Sequence, residues 1–177
     1  MFFIPGQLIA LLSFPGVIMH EIAHRYFADR AGVPVYQVCY FRFGNPAGYV
    51  IHGPVQGLKN SFLISVGPLI VNTLLCALLT FSAVFPFFVF DAKDYNPIFA
   101  VLMWVGISIG AHAFPSNEDM KNFSREVLEA KGKSGLYYLA RAFEVLLLIA
   151  NTLRFFWFDF IYAVGVSLAI PFLVFGL

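Results

Sequence analysis

Apolar runs long enough to cross a bilayer recur along this chain, and no other feature of it constrains the fold as strongly. A helical span needs roughly 20 apolar residues. Stretches of that kind occupy approximately residues 2-27, 62-90, 97-114, 136-156 and 158-175. Of the 177 residues, 60% are hydrophobic and 12% charged, more apolar surface than a soluble domain of this length can hide. Lipid satisfies such surface, provided that each segment closes its backbone hydrogen bonds within itself, normally as a helix. The expectation is one integral domain over 1-177, an all-α polytopic membrane protein with about five transmembrane helices embedded in a lipid bilayer.

Interruptions in the pattern predict the connections. Pro15-Gly16 should kink the first segment or start a new helix, because Pro15 cannot donate to residue 11. Residues 33-43 and 47-55 are rich in Val, Tyr and Phe and flank Gly44-Asn45-Pro46, which predicts a small β-hairpin over about 33-55, between the first and second spans. A polar tip, Asp91 to Asn96, separates the second and third spans. The polar stretch from Pro115 to Gly135 predicts a surface helix over Glu118 to Lys131. No Lys or Arg precedes the first apolar run, so it is expected to be a retained segment and not a signal peptide. Cys39 and Cys76 have neither metal-ligand nor disulfide spacing and are expected to act as small buried hydrophobes. Arg141 and Glu144, three apart, predict a structural ion pair, and His52 a residue of the surface or interface.

The net charge of +1 gives no reason to expect a nucleic-acid partner. Charge placement says more. Arg25, Arg30, Arg42 and Lys59 follow the first span, and Lys121, Arg125, Lys131 and Lys133 follow the third, whereas the connection between the second and third carries only Lys93. The positive-inside rule then puts both basic connections in the cytoplasm and the N-terminus outside, with Arg154, near the outer end of the fourth span, as an exception.

Within the first apolar run stands His20-Glu21-Ile22-Ala23-His24. Residues i and i+4 share a helix face, so His20 and His24 can present nitrogens to one ion, and Glu21, one step round, can take a proton from a water at that ion. Ionisable groups are costly within a membrane segment, which favours a functional site over chance. Zn2+ suits the donor set. A third ligand should come from the end of the third span, on the same side, where Asp119, Glu118 and His112 are the candidates; Asp91, Asp94 and Asp159 are expected at the outer side.

These residues resemble the site-2 protease family of intramembrane zinc metalloproteases. The matching pieces are His20, Glu21 and His24, Phe114-Pro115 leading to Asp119, and Gly67-Pro68-Leu69-Ile70-Val71-Asn72, which is similar to the family's Gly-Pro-x-x-Asn with one extra residue. The chain departs from the family in having no Gly after Asp119 and a longer spacing from Pro to Asp, so it resembles a divergent, minimal member over mainly residues 14 to 120. The resemblance implies His20, His24 and Asp119 as zinc ligands, with Glu21 as general base. Asn72 is implied as a substrate-positioning or oxyanion group, beside the plainer reading of an interhelical hydrogen bond. His112 is a supporting donor, an oxyanion donor or a buried helix residue. The expected activity is that of a zinc metalloendopeptidase cutting a membrane-protein or membrane-associated peptide substrate in or beside a transmembrane segment, near the cytoplasmic face. The hairpin would clamp the extended substrate by strand addition. The alternative is a non-proteolytic metal-binding membrane scaffold or a transporter-like protein.

Overall fold

A computed structural model describes residues 6-90, 96-132 and 135-176. Among them are seven α-helices and one two-stranded antiparallel sheet, in the order α1 (Gly6–Leu12), α2 (Phe14–Arg30), β1 (Val35–Cys39), β2 (Tyr49–His52), α3 (Leu58–Val89), α4 (Pro97–Ala111), α5 (Asn117–Glu129), α6 (Tyr137–Leu153) and α7 (Phe158–Phe175), with a 3-10 turn at Arg154–Phe156. The expected beginning of the first span, residues 2-5, lies outside the described residues, as do Asp91, Lys93, Asp94 and Lys133.

The first apolar run is not one straight helix. α1 and α2 meet at Ser13 with a bend of 87°. Pro15 falls in the first turn of α2, where its missing N–H is no loss, and its ring prevents α1 from continuing through. α2 also outlasts the apolar run and carries the polar stretch to Arg30. The hairpin forms, but its strands are shorter than 33-43 and 47-55: β1 pairs with β2 from Cys39↔Tyr49 to Val35↔His52 with a bulge near Val35, and Tyr40 to Gly48 is a long connection.

α3 is continuous for 32 residues despite Pro68 and Pro86, and it is the organising element. Ile64, Pro68, Asn72, Cys76, Thr80 and Ala83 make one buried stripe at intervals of three and four. Onto this stripe pack α2, α4 and α7, at distances set by small residues. A Cβ on Gly106 would lie 2.6 Å from Thr80, and one on Gly110 would lie 2.6 Å from Cys76 Sγ and 2.9 Å from Ala163. The hydroxyls of Thr80 and Ser167 are satisfied within their own helices, donating to Cys76 O and Ala163 O at 2.7 Å each. Outward, α3 and α7 expose Leu74, Leu78, Leu168 and Leu173, a surface suited to lipid.

By length and hydropathy α3 and α7 are able to cross a membrane, and α1 with α2 adds a third if the bent pair counts as one. α4 is apolar but has only 15 residues, and α6 has 17 and carries Arg141 and Glu144. Five spans are therefore not reached among the described residues. A second core, Val66, Phe114, Met120, Phe123, Val127, Ala140 and Leu147, ties α5 and α6 to the first turns of α3.

Candidate metal centre

The site lies where α2, α3, the end of α4 and the start of α5 converge. His20 and His24, one turn apart on α2, are both buried. Their Nε2 atoms are 3.0 Å apart, and Asp119 Oδ2 lies 3.2 Å from His24 Nε2 and 3.9 Å from His20 Nε2. For a tetrahedral ion with ligands at about 2.1 Å, ligand atoms are separated by about 3.4 Å. The three distances bracket that figure, and the donor set of two imidazoles and one carboxylate fits zinc with a position left open.

Supporting groups fix the orientation of each donor. A carbonyl oxygen only accepts, so the 2.7 Å contact of His20 Nδ1 with His112 O requires His20 to donate from Nδ1, which leaves its Nε2 lone pair for a metal. The backbone of Ile64 is the corresponding hydrogen-bond neighbour of His24. Asp119 is the third residue of α5, whose N-cap is Ser116. Ser116 N donates to Asp119 Oδ2 at 2.8 Å, and Asp119 N donates to Ser116 Oγ at 3.2 Å, a reciprocal capping box that holds the carboxylate toward the histidines. Burial opposes the charge on Asp119, but His24 and His20 beside it prevail and hold its carboxyl well below the usual carboxylate range. Glu118 turns away, exposed and paired with Lys121 at 2.6 Å.

Glu21 is buried next to this cluster. The connection from β1 to β2 passes over it so closely that a Cβ on Gly48 would come within 2.7 Å of Glu21 Cγ and 3.1 Å of Oε1. Asn72 and His112 also reach the site, though not with side chains directed at the three ligands. Asn72, fully buried, donates from Nδ2 to His112 O at 2.9 Å, so one carbonyl holds both Asn72 and His20. The Oδ1 of Asn72 has no partner among the described residues. The His112 ring turns toward Ser13, with Nε2 2.8 Å from the hydroxyl. Ser13 spends its one proton on Ile9 O at 2.6 Å, so His112 Nε2 donates to it.

Sequence reasoning did not single out Ser13 or Gly48, and took Gly16 only as part of the Pro15-Gly16 break. Gly16 has the clearest function: a Cβ there would meet Ser108 O at 2.0 Å and His112 Cδ2 at 2.6 Å, so its absence lets α2 and α4 touch at the site. A glycine one turn before His20 was the available signal. His52 is half-buried, with Nδ1 donating to its neighbour's carbonyl, Gly53 O. Cys76 is buried as expected and Cys39 half-buried in β1. Arg141 and Glu144 do pair, at 2.7 Å. Asp159 and Arg154, expected at the outer side, are instead at the level of the site: they pair at 2.7 Å, and Arg154 also donates to Pro115 O at 3.4 Å.

Compared with protein-family models, curated proteins and solved structures, the chain finds no match.

Proposed function

We propose that the chain is a zinc-dependent membrane endopeptidase that hydrolyses peptide bonds in or beside membrane segments, in the manner of the site-2 protease family. The observation that carries the reading is the convergence of His20, His24 and Asp119, with a buried carboxylate, Glu21, at their side. His20 Nε2, His24 Nε2 and Asp119 Oδ2 would hold the ion. Zinc bound there supplies Lewis acidity, polarising the scissile carbonyl and acidifying water. Glu21 then takes the proton from the attacking water and passes it to the departing amine. The capping box and the His112 carbonyl keep the donors in place while this happens. Among the described residues no third strand pairs with the hairpin beside Glu21, so an unwound substrate can add to its edge.

Orientation follows from charge. Arg25, Arg30, Lys59, Lys121, Arg125 and Arg154 all lie at the end of the bundle that carries the ligands, and Arg154 ceases to be an exception to the positive-inside rule. The site therefore faces the cytoplasm, at the boundary of the bundle formed by α3, α4 and α7.

Purified protein in lipid vesicles, offered peptides that contain a membrane segment and followed by mass spectrometry, tests the reading. Glu21→Gln is expected to keep zinc and fold but lose cleavage, and His24→Ala to lose the zinc. Cleavage by Glu21→Gln at the wild-type rate would remove the general base from the mechanism. Absence of stoichiometric zinc in the wild type would remove the proposal itself.

A further inference from the structure

The course of the chain after α5 differs from what alternating spans require. α5 runs antiparallel to the first turns of α3: Ser65 Oγ donates to Asp119 O at 3.3 Å, and Gly57 N donates to Glu126 Oε2 at 3.2 Å. α6 packs back along α5 and touches α3 through Phe143 on Phe62. Its far end is fixed by Arg154 on Pro115 O, and Phe158 and Tyr162 of α7 pack their rings against Phe114. α6 thus begins and ends in the half of the molecule that holds the metal ligands. Only α7 proceeds to the other end, where Phe175 stacks on Phe88.

The inward face of α6 is Ala140, Glu144, Leu147 and Ala150. Its outward face is also apolar: Leu139 is 71% exposed, Leu146 62% and Ile149 53%, followed by Phe155 and Phe156 in the 3-10 turn. A helix whose inner face is packed and whose outer face is apolar has no side suited to water. Through the exposed Phe155 and Phe156 of the 3-10 turn and Trp157 after it, the chain passes into α7, whose 18 residues are long and apolar enough to cross a bilayer and which exposes Ile161, Leu168 and Leu173. Tyr138 and Trp157 stand near the two ends and Arg141 on the flank, side chains that favour the headgroup layer and its anionic lipids.

We propose that α6 does not cross the membrane, and that its outer face is a lipid-binding surface seated in the leaflet on the metal-site side. The membrane then supports the Pro115 to Asp119 segment through the Arg154 contact, and α3 and α7 are the long crossing helices of this part of the fold, with the shorter α4 packed against both.

The test uses the full chain in vesicles of mixed neutral and anionic phospholipid, with Cys39→Ser and the fully buried Cys76 left in place. Single cysteines at Leu146, Leu168 and Glu129 carry an environment-sensitive fluorophore. The label at Leu146 is expected to be quenched by spin-labelled lipid as strongly as that at Leu168 and several-fold more than that at Glu129. Cysteines at Asn122 and Thr152 should react with an impermeant maleimide from the same side of the vesicle. Labelling of these two from opposite sides would overturn the proposal by making α6 a span. Quenching at Leu146 by a water-soluble agent as readily as at Glu129 would overturn it too, as would a disulfide-linked dimer through Leu146→Cys, which would give the face to a second copy. Leu139→Cys, at a more exposed position, repeats the measurement should Leu146→Cys impair folding.

Discussion

Gly16→Ala is the smallest change that should damage the metal centre without touching a ligand. The added methyl would start 2.0 Å from Ser108 O, whereas real Cβ atoms do not come nearer than 3.0 Å, so α2 and α4 must part by at least about 1 Å locally. His20 sits one turn beyond Gly16 on the same face of α2 and moves with it. Its bond to His112 O would lengthen from 2.7 Å to about 3.7 Å, past the limit of a hydrogen bond. Two costs follow. Overpacking takes about 1–3 kcal/mol from the fold, and loss of the orienting bond on His20, a proposed ligand, is expected to weaken zinc roughly 10- to 100-fold. The assay is zinc retention by detergent-solubilised protein against graded chelator, with thermal unfolding of the same samples. Gly165→Ala is the control, since a Cβ there meets nothing within 4 Å. Should Gly16→Ala hold zinc and resist heat as the wild type and the control do, α2 and α4 do not set the geometry of the site.

Other substitutions separate the parts. Asp119→Ala should lose zinc and also the half of the capping box that Ser116 N makes with its carboxylate, worth about 0.5–1.5 kcal/mol, while Asp119→Asn keeps an acceptor for Ser116 N and loses mainly zinc; Glu118→Gln should leave zinc content unchanged, as measured by metal analysis. Asn72→Asp should weaken zinc more than Asn72→Ala despite its closer shape, because Ala only removes the donor to His112 O whereas a carboxylate sets acceptor against acceptor and pushes that carbonyl away from His20; equal chelator resistance would refute this. The pH dependence of the chelated protein should also carry a signature of Asp119. Its carboxyl is held below the usual range in the fold, so its contribution to stability is complete above the unfolded value of about 3.9 and disappears as pH falls through the lower folded value. Asp119→Asn should therefore lack that part of the acid-induced loss, read by thermal unfolding from pH 6 to about pH 2.

Much of the fold was legible because lipid imposes simple rules. Apolar length marked α3 and α7 in outline, turn residues marked the hairpin, and the break after α1 followed from Pro15. The fourth apolar run is where tertiary contacts add what composition omits. α6 has the composition of a span, but one of its faces is taken by α5 and Phe62, and its end returns to Pro115. Hydropathy counts apolar residues and is blind to whether protein or lipid covers them.

At the site, sequence determined the pair on α2: spacing alone puts His20, Glu21 and His24 on one helix at fixed intervals, since the α-helix is a rigid ruler. It also narrowed the third donor to a short segment. Only the tertiary structure decided that Asp119 faces the histidines while Glu118 faces solvent, because that depends on the capping box that sets the first turn of α5. The same holds for Ser13, Gly16 and the shared His112 carbonyl. Their parts in the centre come from contacts between residues about 90 positions apart, and local sequence cannot encode the distance at which two helices meet.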